Sequence, residues 1–233
     1  ARILGALLDA FSSIWPSGQR FEGVPVGDAW PHPAAGGQGP SAGWVPFHKL
    51  SQWLSYSLLE PFEWAGVQVG GLDDLTGLPE YRNGGLLIDA GVIVPRDTAF
   101  AARPRLPSEP WVIEWRALTV ALLDELAPRV REALGAPALP LACILEGGSW
   151  AAGRQIAAER RPGGAHRGSS ESVWLCGGSA RRWPGSLVVR TTLRASTVPG
   201  ILSLASGSFN WRLSSAWPRW TRNRFGRNNG HSS

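Results

Sequence analysis

A mainly α architecture, an irregular helical domain followed by a basic tail, is expected from three observations. Apolar residues recur at helical spacing in several segments, whereas no sustained period-two alternation is present. Only Leu86 to Val94 carries enough Ile and Val to be read as a strand. Charge is split: residues 1–159 hold 11 Lys+Arg and 17 Asp+Glu, while residues 160–233 hold 12 arginines, no lysine and the single acid Glu171. The division predicts a domain over residues 1–160 and a low-order tail over 161–233, which carries the high pI of about 10.2.

The helices are expected in this order. Ile3, Leu4, Leu7, Leu8 and Phe11 line one face of an opening helix over residues 1–14. Trp15 to Pro46 is dense in Gly and Pro and reads as a long loop. Within it, in GDAWPHP, Asp28 and His32 could reach a site, or Trp30 could simply pin the loop to the core. From Phe47 to Trp64, Leu50, Trp53, Leu54, Ser57, Leu58 and Phe62 form a helical stripe that Pro61 should kink or end. His48 and Lys49 fall in its first turn, where positive charge opposes the helix dipole. Asp73 or Asp74 can cap the next helix, over Leu78 to Ala90, which Gly91 should stop. The Gly84-Gly85 pair inside it permits close approach of another backbone or a ligand.

Ser108 is the expected N-cap of a helix running to about Leu126, with Pro110 in its first turn. Trp111, Trp115, Leu118, Leu122 and Leu126 make one stripe and Val112, Thr119 and Leu123 widen it, so the helix should be central. Pro128 should begin a separate short helix to Leu134, and Leu139 to Arg160 should hold one or two more, joined at Gly147-Gly148. Cys143, in an apolar run, is expected to be a buried thiol; neither it nor Cys176 has metal-ligand spacing.

Two segments stand out chemically. Leu75 to Val94 contains Glu80-Tyr81-Arg82, and Val112 to Leu126 contains Glu114-Trp115-Arg116. Both are otherwise apolar enough to be core. An ionised side chain removed from water is costly unless paired, so two acid–arginine triplets there point to a site, with ion pairing between helices as the structural alternative. No apolar run approaches the roughly 20 residues of a membrane span, and Asp9 interrupts the only signal-like stretch. A cytoplasmic protein without membrane contact is expected. GxGxxG, P-loop, GxSxG and HExxH motifs are absent, so no metal or cofactor is expected.

Three readings of the tail stay open. Trp174, Trp183, Trp211, Trp217 and Trp220 between arginines could stack on single-stranded nucleic acid. Equally, the segment is too poor in core-forming residues to offset chain entropy. Arginine without lysine, amid Gly, Ser, Trp and Pro, is also what a GC-rich gene gives when translated out of frame; on this reading the tail carries no evolved function and no nucleic-acid partner is expected. The lack of methionine suggests a chain that begins within a longer protein.

In order along residues 1–160, GDAWPHP, VPFHKLSQWLSYSLLEPFEWAG, LTGLPEYRNGGLLIDAGVIV, EWRALTVALLDELAP and LPLACILEGGSWAAGRQIAAE resemble the uracil catabolism protein 4 family, formerly a domain of unknown function. The resemblance implies the C-terminal part of such a protein, acting in the breakdown of uracil through a uridine nucleotide to urea. More weakly, the blocks around Glu80-Tyr81-Arg82 and Glu114-Trp115-Arg116 resemble the queuosine salvage N-glycosylases, helical enzymes shaped like DNA glycosylases, with Glu80 where that family has aspartate. The second resemblance implies N-glycosidic hydrolysis of a small nucleoside or nucleotide derivative such as a ribosylurea. Glu80 would be the carboxylate near the sugar and Glu114 its partner or a binder of the urea-like leaving group; Arg82 and Arg116 would hold a 5′-phosphate. Tyr81 and Trp115 would wall the pocket, and Asp89 is a lesser binding candidate. A non-catalytic binding or scaffolding protein of the same pathway is the alternative.

Overall fold

In a computed structural model, residues 2–15, 17–97, 100 and 105–164 are described. They are mainly helical and fall into two compact units that divide after Leu78. The tail beyond residue 164, with its five tryptophans and Cys176, lies outside the described residues, and so do the three readings of it. Among the described residues no helix is long and apolar enough to cross a membrane.

The first unit opens with α1 (Arg2–Phe11), amphipathic as its spacing predicts, with Leu8 buried. The stretch expected to be one long loop is instead organised by two small antiparallel pairs: β1 (Arg20–Phe21) with β2 (Val24–Pro25), and β3 (Ala29–Pro31) with β4 (Trp44–Pro46). Strands this short escape a periodicity reading. The edge-on packing of Phe21 against Trp44, 5.9 Å between ring centroids, joins the first pair to the second. Gly27 holds a positive φ of 63°, and a side chain there would run into the Trp15 indole.

Two helices come next, α2 (Lys49–Ser57) and α3 (Leu59–Trp64). The break falls at Leu58, so Pro61 sits in the first turn of α3, where its missing N–H costs nothing. The face of α2 is the reverse of the one expected. Leu50, Trp53 and Leu54 are exposed, while Ser51, Gln52 and Ser55 are buried. The polar face is tolerated inside because most of it is hydrogen-bonded. Gln52 Nε2 donates to the Phe47 carbonyl at 3.0 Å, and its Oε1 accepts from the backbone N–H of Thr76 at 3.0 Å; Ser55 Oγ donates to Ser51 O at 2.9 Å. Asp73 and Asp74 lie in a single 3₁₀ turn rather than capping a helix.

The second unit is built on α4 (Tyr81–Asp89), α5 (Pro110–Leu134) and a C-terminal run of α6 (Leu141–Cys143), a π-helical segment (Ile144–Trp150) and α7 (Ala151–Arg160). Its core joins Leu87, Ile88, Ile93, Phe100, Trp115 and Leu118. The strand alternative for Leu86 to Val94 is not adopted: Leu86 to Asp89 is helical, and Gly91, at φ 74°, comes after the helix as its stop.

Helix α5 departs from expectation at both ends. Its N-cap is Glu109, not Ser108; Glu109 Oε1 accepts the N–H of Leu106 and Oε2 lies 3.3 Å from Arg105 Nη1. Pro128 lies inside α5 and does not end it. The proline is exposed, and the turns beyond it are held by Gly135 in the left-handed conformation and by Arg131 Nε donating to Leu139 O at 2.8 Å. Gly147-Gly148, expected as a joint between helices, is carried within the π-helical segment. Cys143 is exposed, contrary to the buried thiol expected, because Ile144 and Leu145 take the inward positions.

Candidate functional site

The second unit gathers its charged and polar side chains around α4. Glu80 is the N-cap of α4: in extended conformation, it turns its carboxylate back so that Oε2 accepts the N–H of Arg82 at 2.7 Å and of Asn83 at 3.3 Å. The residue is buried, at 8% exposure. Two backbone donors and the positive end of the helix dipole stabilise the negative charge of this carboxylate inside the protein. Such a group is suited to lowering the energy of a nearby cation and holds its position without reorganisation.

Close helix packing fixes α4 against its neighbours. Gly153 of α7 lies on the backbone of α4, and any Cβ there would overlap the carbonyl of Arg82. Gly84 faces α5: Trp115 Nε1 donates to Gly84 O at 3.2 Å, and a Cβ at Gly84 would meet the indole at 2.8 Å. The approach anticipated at Gly84 is therefore made by an indole of the same chain. At the π-helical segment, Ser149 Oγ donates to Asn83 Oδ1 at 2.9 Å. π turns interrupt regular helices and are frequent at functional sites.

The candidate residues are distributed over both ends of α4 and over α5. Glu80, Tyr81 and Arg82 form the start of α4. The Arg82 guanidinium carbon lies 5.4 Å from the Tyr81 ring centroid, and its Nη1 donates to Gly164 O at 3.0 Å. Trp115 is drawn onto α4 and also belongs to the core. Its neighbours leave α5 about 100° to either side: Arg116 is buried at 5% exposure and Glu114 is half-buried. Asp89 is at the far end of α4, nine residues from Glu80 and so ~13 Å along the axis. There it receives both Arg161 amino groups, Nη1 to Oδ1 at 2.9 Å and Nη2 to Oδ2 at 2.6 Å. This bidentate pair ties α4 to the residue after α7, away from Glu80.

Three partners were not anticipated. Asn83, 2% exposed, adjoins the Glu80-Tyr81-Arg82 triplet, and its position just after the charged residues was the available signal. Ser149 and Arg161 are distant in sequence and carried none. Among the described residues no group of His, Cys, Asp and Glu is placed to hold a metal ion.

In the first unit, Asp28 and Trp30 both anchor the loop, the structural one of the two roles weighed for GDAWPHP. Trp30 Nε1 donates to Asp28 Oδ1 at 2.8 Å, Asp28 O accepts from Phe47 N at 2.8 Å and His48 N at 3.2 Å, and Asp28 Oδ2 accepts from Lys49 N at 3.3 Å. His32 is buried and turns Nδ1 to the N–H of Ala34 at 3.1 Å.

Comparison with known proteins adds a family. A sequence model of the family described as "Protein of unknown function (DUF1688)" matches residues 1–168. The chain is similar to a protein of Lachancea kluyveri named "Uracil catabolism protein 4", 43% identical over 182 residues, which cover 69% of this chain and 41% of that protein. It is also similar to "Protein urg3" of Schizosaccharomyces pombe, 47% identical over 153 residues, 64% of this chain and 37% of that protein. The chain thus spans about two fifths of the length of these relatives. No solved structure matches it.

Proposed function

The chain belongs to the DUF1688 family, and from that premise we propose that it takes part in uracil catabolism, as the name of its Lachancea relative suggests, in the cytoplasm. The finer reading is an N-glycosidase-like hydrolase acting on a ribosylurea-type nucleotide breakdown product. The observation that carries it is Glu80: a buried carboxylate, fixed by two N–H donors at a helix start, in a triplet of acid, aromatic and arginine. Hydrolysis of such a substrate breaks the bond from the sugar C1′ to the urea nitrogen; water adds its oxygen to C1′ and a proton goes to the leaving nitrogen. The sugar carbon becomes cationic on the way, and a fixed anion lowers that barrier.

In this scheme Glu80 faces the sugar and Glu114 takes the proton of water or binds the urea. Tyr81 and Trp115 wall the pocket and Arg116, with Arg82, holds the anionic part of the substrate. Asp89 binds at most indirectly, since Arg161 occupies its carboxylate. The test is release of urea from ribosylurea 5′-phosphate by the full-length Lachancea relative, alongside this chain. Urea above background, lost when the glutamate aligned with Glu80 becomes glutamine, supports the reading; no urea from either protein refutes it.

A second reading, a non-catalytic binding or scaffolding protein of the same pathway, has its own support. Glu80, Arg82, Asp89 and Trp115 all perform structural tasks that would keep them in place without chemistry. Under it, the same assay shows no urea, while substrate still binds.

A further inference from the structure

The N-terminus of α2 is built against its own stability. An ordinary helix start has an extended Ser, Thr, Asp or Asn whose side chain accepts one of the free N–H groups. Here the cap position is His48, in the left-handed conformation at φ 48° and ψ 36°, and its side chain makes no cap hydrogen bond. For a residue with a Cβ this conformation costs of order 1 kcal/mol.

The first backbone bond across the helix start runs from Gln52 N to His48 O, at 2.9 Å. The N–H groups of Lys49, Leu50 and Ser51 precede that ladder. Asp28 Oδ2 accepts the first of them, at 3.3 Å from Lys49 N. Among the described residues, the other two have no backbone or side-chain acceptor.

Independent of these amides is Ser51 itself. The residue is 2% exposed, and its Oγ, shut off from solvent, makes no hydrogen bond, although a serine in a helix has a carbonyl within reach one turn back. Ser55, one turn on, uses that option with Ser51 O. Cα–Cβ bonds on a helix tilt toward its N-terminus, so the Ser51 side chain leaves the helix toward the turn that carries the unused amides. A buried hydroxyl beside two unused donors of the same turn is costly unless something fills the space. Leu50 on the same turn is exposed, which leaves the turn open to solvent on one side.

We propose that the first turn of α2 is an anion site, made by the N–H groups of Leu50 and Ser51 and the hydroxyl of Ser51, and that its ligand is a phosphate group. Two amides and a hydroxyl of one turn, at the positive end of a helix, are donors of the kind a tetrahedral oxyanion takes. The Asp28 carboxylate beside it is already engaged, Oδ1 by Trp30 and Oδ2 by Lys49 N, and the positive charge of Lys49 lies on the same turn. The site rests on residues of the first unit alone and goes beyond the proposed hydrolysis, which is placed in the second.

The test is calorimetric titration of the full 233-residue chain with inorganic phosphate, ribose 5-phosphate and ribose. Binding of both phosphates but not of ribose, weakened at least tenfold in Ser51→Ala and recovered in Ser51→Thr, supports the site. Should Ser51→Ala fold poorly, the amide resonances of Leu50 and Ser51 in the unsubstituted chain carry the test: phosphate should shift both. Absence of phosphate binding, binding that Ser51→Ala leaves unchanged, or amide resonances that stay fixed each overturn it. These measurements involve no turnover. Lost phosphate binding with intact urea release therefore sinks the anion site alone, and the reverse result sinks the hydrolase alone.

Discussion

Replacing Arg161 by alanine is expected to lower the unfolding free energy by about 3–5 kcal/mol, because it deprives the fully buried carboxylate of Asp89 of its bidentate counter-charge. Urea denaturation would measure it, and Asp89→Asn combined with Arg161→Met should recover most of the loss. For Glu80→Gln the expected loss is below about 1 kcal/mol, the usual worth of a whole N-cap, since an amide oxygen can still accept from Arg82 and Asn83. Glu80→Asp should fold as well as the parent, so a large loss of urea release in that variant would separate chemistry from capping. Legibility at this scale was uneven. Glu80 was visible as a charge in an apolar run, but its capping task was not, because the helix was expected to start at Leu78. Asp89 gave no hint of Arg161, 72 residues away and just past the boundary drawn from charge.

Helix contacts in the second unit are set by the smallest residues. Gly153→Ala is expected to cost at least about 1–3 kcal/mol, since the added methyl must push α7 off the carbonyl of Arg82; a fall in melting temperature would show it. Pro128→Ala should act in the opposite sense. It restores the N–H that can bond to Asp124 O inside α5, and a gain of up to about 3 kcal/mol is expected on the same measurement. Periodicity located α1 and α5 well because apolar side chains decide their burial. It misjudged α2, whose buried face is polar: Gln52 is held by Phe47 O and Thr76, contacts that pattern alone does not encode. Pro128 was over-read for a similar reason. A proline penalty is local, and the anchoring of the turns after it by Gly135 and Arg131 is not.

At the scale of the whole molecule the mainly α character was legible, and the comparisons bear out the family resemblance read from five motifs in order. Exposed Leu50, Trp53 and Leu54 form an apolar stripe along α2, and the chain spans only about two fifths of its relatives. An uncovered stripe of this kind favours association. Light scattering of the isolated chain should therefore show self-association that rises with concentration, and Trp53→Glu with Leu54→Glu should reduce it; a monomer at all concentrations would count against this.

The pairing of Asp89 with Arg161, together with the Arg82 bond to Gly164 O, also fixes where the arginine-rich segment can be removed. The change in composition suggests a cut at Arg160, yet a chain trimmed there would lose both of these bonds to α4 and leave a buried carboxylate without its bidentate partner. Trimming after Gly164 discards the same basic segment and spares them. A difference of four residues thus decides whether a shortened protein is a fair sample for crystallisation or a destabilised one.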